Sequence, residues 1–82
     1  MKLPRDLTGK ELIKALEQMG YYVTRQTGSH VRLSYQRVGE HHVTVPLHNP
    51  LRIGTLAAIL ADVASYHKLT REELVSKLLR KN

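Results

Sequence analysis

Cysteine is absent from the 82 residues of this chain, which excludes disulfides, cysteine–zinc sites and thiol catalysis. Long apolar runs are absent too. The longest uncharged apolar stretch, Ile53 to Ala61, is far too short to span a bilayer, and no charged-then-apolar leader opens the sequence. A soluble, cytoplasmic protein with no membrane partner is therefore expected. There is no internal repeat, low-complexity tract or linker. The length suits one domain over residues 1–82, with an adequate but not large core and no room for a separate cofactor domain. Acidic residues are scarce: seven Asp and Glu oppose thirteen Lys and Arg, for a formal net charge of +6. The few carboxylates form no pair suited to acid–base work.

Such a charge balance bears on partners rather than on fold. RNA, DNA, an anionic membrane surface and an acidic protein all fit it. The basic residues are scattered along the chain, and no block of five like charges marks a disordered tail.

Helix signals punctuate both ends. Thr8 and Glu11 form a Thr-x-x-Glu capping box, with Leu7 placed as a staple. Leu12, Leu16 and Met19 recur at helical spacing, widened by Ile13 and Ala15, and Gly20 stands where a C-cap glycine belongs. The spacing predicts a helix over 9–19. A second helix is expected from Gly54-Thr55 to about Tyr66, with Leu56, Ile59, Leu60 and Val63 as its apolar stripe. Thr70 and Glu73 give another capping box, opening a short last helix near 71–80 packed through Leu74, Leu78 and Leu79. Capping thus accounts for Glu11 and Glu73.

Three strand-like segments lie between the first two helices, at about 21–26, 30–37 and 41–47. Their short connections, Gly28-Ser29 and Val38-Gly39-Glu40, favour an antiparallel meander. Pro46 has no N–H to donate, so it belongs at a strand end or on an edge. Helix stripes on one side and a sheet with one polar face imply an α+β two-layer sandwich, α-β-β-β-α with an extra short C-terminal helix. That order is the one of double-stranded-RNA-binding domains, a likeness of fold alone.

The segment Gly28-Ser29-His30 carries the most information. Gly28 can take the positive φ of a tight turn. Alternation puts Val31, Leu33 and Tyr35 on one face and His30, Arg32 and Ser34 on the other. With the first set in the core, His30 stands at the rim of a basic open face. Histidine is the side chain best suited to moving a proton near neutral pH. Beside Arg25 and Arg32 it suggests work on a phosphodiester backbone, with Ser29 and the Gly28 N–H as further donors. Tyr22 faces outward and can stack on a base; Tyr21 and Tyr35 fill core. His41-His42 is a tempting metal pair, but adjacent strand residues point to opposite faces, so neither a metal site nor a cofactor is expected. From the residues alone, three classes stay open: an endoribonuclease, an RNA-binding module that does not cleave, and a protein-interaction domain for an acidic partner.

Gly20, Arg25, Gly28-Ser29-His30, Val43-Thr44-Val45-Pro46, His48, Gly54-Thr55-Leu56 and Ile59-Leu60 resemble, in order and spacing, the HicA toxin family, also called YcfA-like mRNA interferases, of bacterial toxin–antitoxin pairs. The likeness runs from about Leu7 to Leu79. It implies a dsRBD-like fold, metal-independent endoribonuclease activity on mRNA, and neutralisation by a HicB-type antitoxin. It also implies that the family's essential histidine is His30. Before Gly54-Thr55 many relatives are lysine-rich, whereas Asn49-Pro50-Leu51-Arg52-Ile53 carries one cation. RNA supplies its own nucleophile in the 2′-hydroxyl. Cleavage requires that oxygen to lose its proton, the phosphate charge to be stabilised, and the leaving 5′-oxygen to gain a proton. His30 is the candidate for proton transfer, Arg25 and Arg32 for the phosphate, and His48 for a second proton-transfer group.

Overall fold

The computed structural model describes residue 3 and residues 5–79. The chain runs α1 (Gly9–Met19), β1 (Tyr22–Thr27), β2 (His30–Tyr35), β3 (His41–Pro46), α2 (Ile53–His67) and α3 (Arg71–Leu78). The strands form one antiparallel sheet in the order β1-β2-β3. This is the α+β arrangement expected from the sequence, and its α-β-β-β-α-α order is consistent with a dsRBD-like fold.

Both capping boxes form. In α1 the Thr8 hydroxyl accepts from the Glu11 N–H at 3.1 Å and the Glu11 carboxylate accepts from the Thr8 N–H at 2.9 Å. Thr70 and Glu73 repeat the exchange at α3, at 3.0 and 2.9 Å. Each box satisfies two amide donors that the first helical turn would leave unpaired. Gly20 closes α1 in the left-handed conformation. The second helix begins at Ile53, before the expected Gly54, and has Arg52 at its N-cap with no side-chain cap. Buried Leu51 anchors its start instead, and the Leu51 N–H donates to the Leu7 carbonyl at 2.8 Å.

The other boundaries shift by one to two residues. β1 starts at Tyr22, because the Tyr21 N–H is used by the Leu16 carbonyl in closing α1. β2 ends at Tyr35, short of the expected Arg37, and the connection to β3 is correspondingly longer than Val38-Gly39-Glu40. Pairing stops at Tyr35–His41. Beyond it the Val38 carbonyl accepts from the Tyr66 hydroxyl of α2 and Gly39 turns the chain with φ +77°. For the last helix, the expected end near Arg80 lies outside the described residues.

The core is one cluster. Leu12 and Leu16 of α1, Val31 and Leu33 of β2, Val43 and Val45 of β3, Leu56, Leu60 and Val63 of α2, and Leu74 of α3 are all almost fully buried in it. α1 packs on β1 and β3, α2 on β3, and α3 on both helices. The helices thus cover one side of the sheet and leave the other to solvent.

Pro46 lies at the end of β3, an edge strand, as its missing N–H requires. Leu47, by alternation a core residue, is 38% exposed. Its N–H donates to the Ser29 carbonyl at 2.6 Å, which carries the chain past the end of the sheet rather than under the helices.

Candidate nucleic-acid interface

The Gly28-Ser29 turn joins β1 to β2 between the paired residues Thr27 and His30. Gly28 has φ +58°, and Ser29 is not in the positive-φ region. That sign pattern belongs to the type II′ hairpin turn, which requires glycine at its first central position. A β-carbon on Gly28 would meet nothing among the described residues, so the backbone angle, not crowding, demands glycine here.

Directly opposed residues of an antiparallel pair share a face. Three cross-strand rows on the open face follow from the register: Thr27–His30–Pro46, Arg25–Arg32–Thr44 and Tyr22–Ser34–His42. Strict alternation from Tyr22 would turn Arg25 toward the helices. The register shifts between Val23 and Arg25, however, leaving Thr24 as the extra residue of a β-bulge. The Thr24 hydroxyl donates to the Arg32 carbonyl at 3.3 Å. The bulge brings Arg25 round to face Arg32, so the sequence pattern alone did not determine the side on which Arg25 lies.

His30, Arg25 and Arg32 are all exposed and, among the described residues, none of them makes an ion pair. Tyr22 is exposed as expected, at 43%. Gly28 and Ser29 sit exposed at the turn beside His30. His48 lies at the same end of the sheet but not in the rows. It is exposed on the segment after β3, its carbonyl accepts from the Gly9 N–H at 2.9 Å, and it lines a shallow cavity of about 430 Å³ with Thr8, Lys10, Leu47 and Asn49.

Two hydrogen-bonded side-chain groups went unread in the sequence. On the open face the Ser34 hydroxyl lies 2.6 Å from Nδ1 of His42, and Nε2 of His42 lies 3.1 Å from the Glu40 carboxylate. The second group closes the opposite end of the sheet from the turn. His41 lies 3.2 Å from Asp62 through Nε2 and 2.7 Å from the Tyr21 hydroxyl through Nδ1. That hydroxyl lies 3.0 Å from Nε2 of His67. The expected opposition of His41 and His42 is thus realised, one on each side of the sheet. Among the described residues no cluster of metal-ligating side chains forms. Burial, with the nearby Asp62 charge, pushes the Tyr21 hydroxyl well above the ordinary tyrosine range. His67 is held below the ordinary histidine value by burial first, then by His41 and Lys77. A signal for the first group exists: Ser34 and His42 become neighbours once the hairpin register is known. The second joins residues far apart in the chain and has no local signature.

Chemically, the open face offers an exposed imidazole, two guanidinium groups that have no ion-pair partner among the described residues, and an exposed aromatic ring. No helix among the described residues is long and apolar enough to cross a membrane. A family model described as HicA toxin of bacterial toxin–antitoxin matches residues 9–64, from the start of the first helix into the second. No curated protein and no solved structure gives a significant match.

Proposed function

The chain belongs to the HicA toxin family of bacterial toxin–antitoxin systems, and on that premise we propose that it is an mRNA interferase, a metal-independent endoribonuclease that uses His30. The observation that carries this reading is the adjacency of two rows on the open face: His30 in one, the Arg25–Arg32 pair in the next. Adjacent rows stand about 6.6 Å apart along a strand, so an RNA phosphate at His30 lies within reach of long arginine side chains.

The reaction needs no outside nucleophile. The 2′-oxygen bonds to phosphorus, the bond from phosphorus to the 5′-oxygen breaks, one proton leaves the 2′-hydroxyl and one reaches the departing 5′-oxygen. His30 transfers one of these protons. Arg25 and Arg32 hold the phosphate and offset the charge that builds on it in the transition state. Ser29 and the Gly28 N–H donate further hydrogen bonds at the turn, Tyr22 stacks on a base, and His48, at the same end of the sheet, is the candidate for the second proton. The partner is a HicB-type antitoxin with an acidic surface that covers the face bearing His30. Complementary charge speeds their association.

His30→Ala separates this chemistry from folding. The side chain is exposed, so its loss leaves no cavity, and the melting temperature and antitoxin binding should not change. RNA cleavage and growth inhibition should largely disappear, while EDTA should leave wild-type cleavage intact. Undiminished cleavage by a folded His30→Ala protein would sink the assignment. RNA binding without cleavage by the wild type would leave a non-cleaving RNA-binding module.

A further inference from the structure

Both ring nitrogens of His42 are engaged, one with Ser34 and one with Glu40. What the imidazole still offers a ligand is its face, and the side chain is 37% exposed. Ser34 beneath it is 2% exposed, so the hydroxyl acts as a buried anchor that fixes the ring rather than as a nucleophile. Across β2 from His42, in the same row, stands Tyr22, with its ring at the surface. Two aromatic rings therefore flank a small residue on the open face, one of them locked at both nitrogens.

We infer that Tyr22 and His42 form a stacking platform for a nucleobase of single-stranded RNA, set at a fixed distance from His30. The inference rests on the RNA reading above and adds His42, and a fixed spacing from His30, to the base contact at Tyr22. The platform row lies two rows from the His30 row, about 13 Å along the strand, which an extended single strand covers in about two nucleotides. The arginine row lies between them and supplies countercharge for the intervening phosphates. No residue of the three rows is acidic. A duplex keeps its bases in the stack and has no free base face to offer. The platform thus selects single strands, although the fold is consistent with that of double-stranded-RNA-binding domains.

The test compares two ligands of equal length, a single-stranded RNA carrying a 2′-O-methyl group at each position to block cleavage and the same strand without bases. Wild-type protein should bind the base-bearing strand about 10-fold more tightly. Tyr22→Ala and His42→Ala should each remove most of that difference and leave affinity for the abasic strand unchanged. His42→Phe keeps a ring and loses both hydrogen bonds, so it should retain most of the difference. In cleavage of ribose-containing strands, a single abasic site should be most harmful about two nucleotides from the cut. Equal affinity for the two strands would overturn the platform. So would variants that weaken both strands alike, or a His42→Phe protein that behaves as His42→Ala does. Because binding is read without cleavage, a wild type that cuts no RNA would defeat the interferase reading and still leave this comparison decisive.

Discussion

Arg25 stands directly across the strand pair from Arg32, because Thr24 between it and Val23 is taken up as a bulge and left out of the pairing. Two guanidinium groups side by side repel each other, and an anion between them relieves that repulsion. Each arginine that contacts a phosphate releases about one counterion on binding. Arg25→Ala and Arg32→Ala should each lower RNA affinity across sequences and reduce the slope of log affinity against log salt by about one. Deleting Thr24 removes the bulge but leaves Arg25 next to Val23 in unbroken alternation, still paired with Arg32, so affinity and salt slope should stay near those of the wild type. An unchanged salt slope in both arginine variants would place the phosphate contacts elsewhere.

Gly9 is the first residue of α1, and a β-carbon there would fall on the Pro46 carbonyl oxygen. The helix start is held against the end of β3, with the Gly9 N–H on the His48 carbonyl. Gly9→Ala must push these backbones apart, at about 1–3 kcal/mol. A β-carbon on Gly54, in the first turn of α2, would meet nothing within 4 Å among the described residues. Gly54→Ala should therefore be neutral or stabilise by about 0.4–1 kcal/mol, through loss of unfolded-chain entropy. Urea unfolding of the two variants should give opposite signs.

Leu16 and Leu60 are at 0% and 1% exposure, one from each principal helix. Truncation of either to alanine leaves a cavity that surrounding strands cannot fill, costing about 2–5 kcal/mol. Tyr22→Ala removes an exposed ring and should cost far less. Comparable losses at all three positions, measured by thermal or urea unfolding, would contradict the placement of the core.

The sequence revealed the helices because their signals are local. A capping box spans four residues, and the stripe of Leu12 and Leu16 repeats within one turn. The outward placement of Tyr22, Arg32 and His30 follows from period-two alternation for the same reason. Arg25 resisted such reading: a bulge changes the face of every residue beyond it, and nothing in Val23-Thr24-Arg25 marks one. The pairing of Ser34 with His42 depends on hairpin register, which the early end of β2 shifted from the expected connection. Tyr21 was expected in the core and is buried there. That its hydroxyl would find His41 and His67 depended on the packing of α2 against β3, a tertiary fact with no counterpart in the local pattern.

His67 makes the stability of this fold depend on pH. Burial, then the neighbouring His41 and Lys77, hold its pKa in the folded chain below that of an unfolded histidine. The unfolded chain therefore takes up the proton first as pH falls. It binds more protons than the folded chain in that window, so stability rises with pH across it. The contribution is complete above the ordinary histidine pKa and is lost as pH falls through that value toward the lower folded one. Melting temperature should decline between about pH 7.5 and pH 5. His67→Gln keeps a hydrogen-bonding amide for the Tyr21 hydroxyl and has nothing to titrate. Its melting temperature should fall less over the same range, even if it starts lower at neutral pH. Parallel curves for the two proteins would assign the acid sensitivity to other groups.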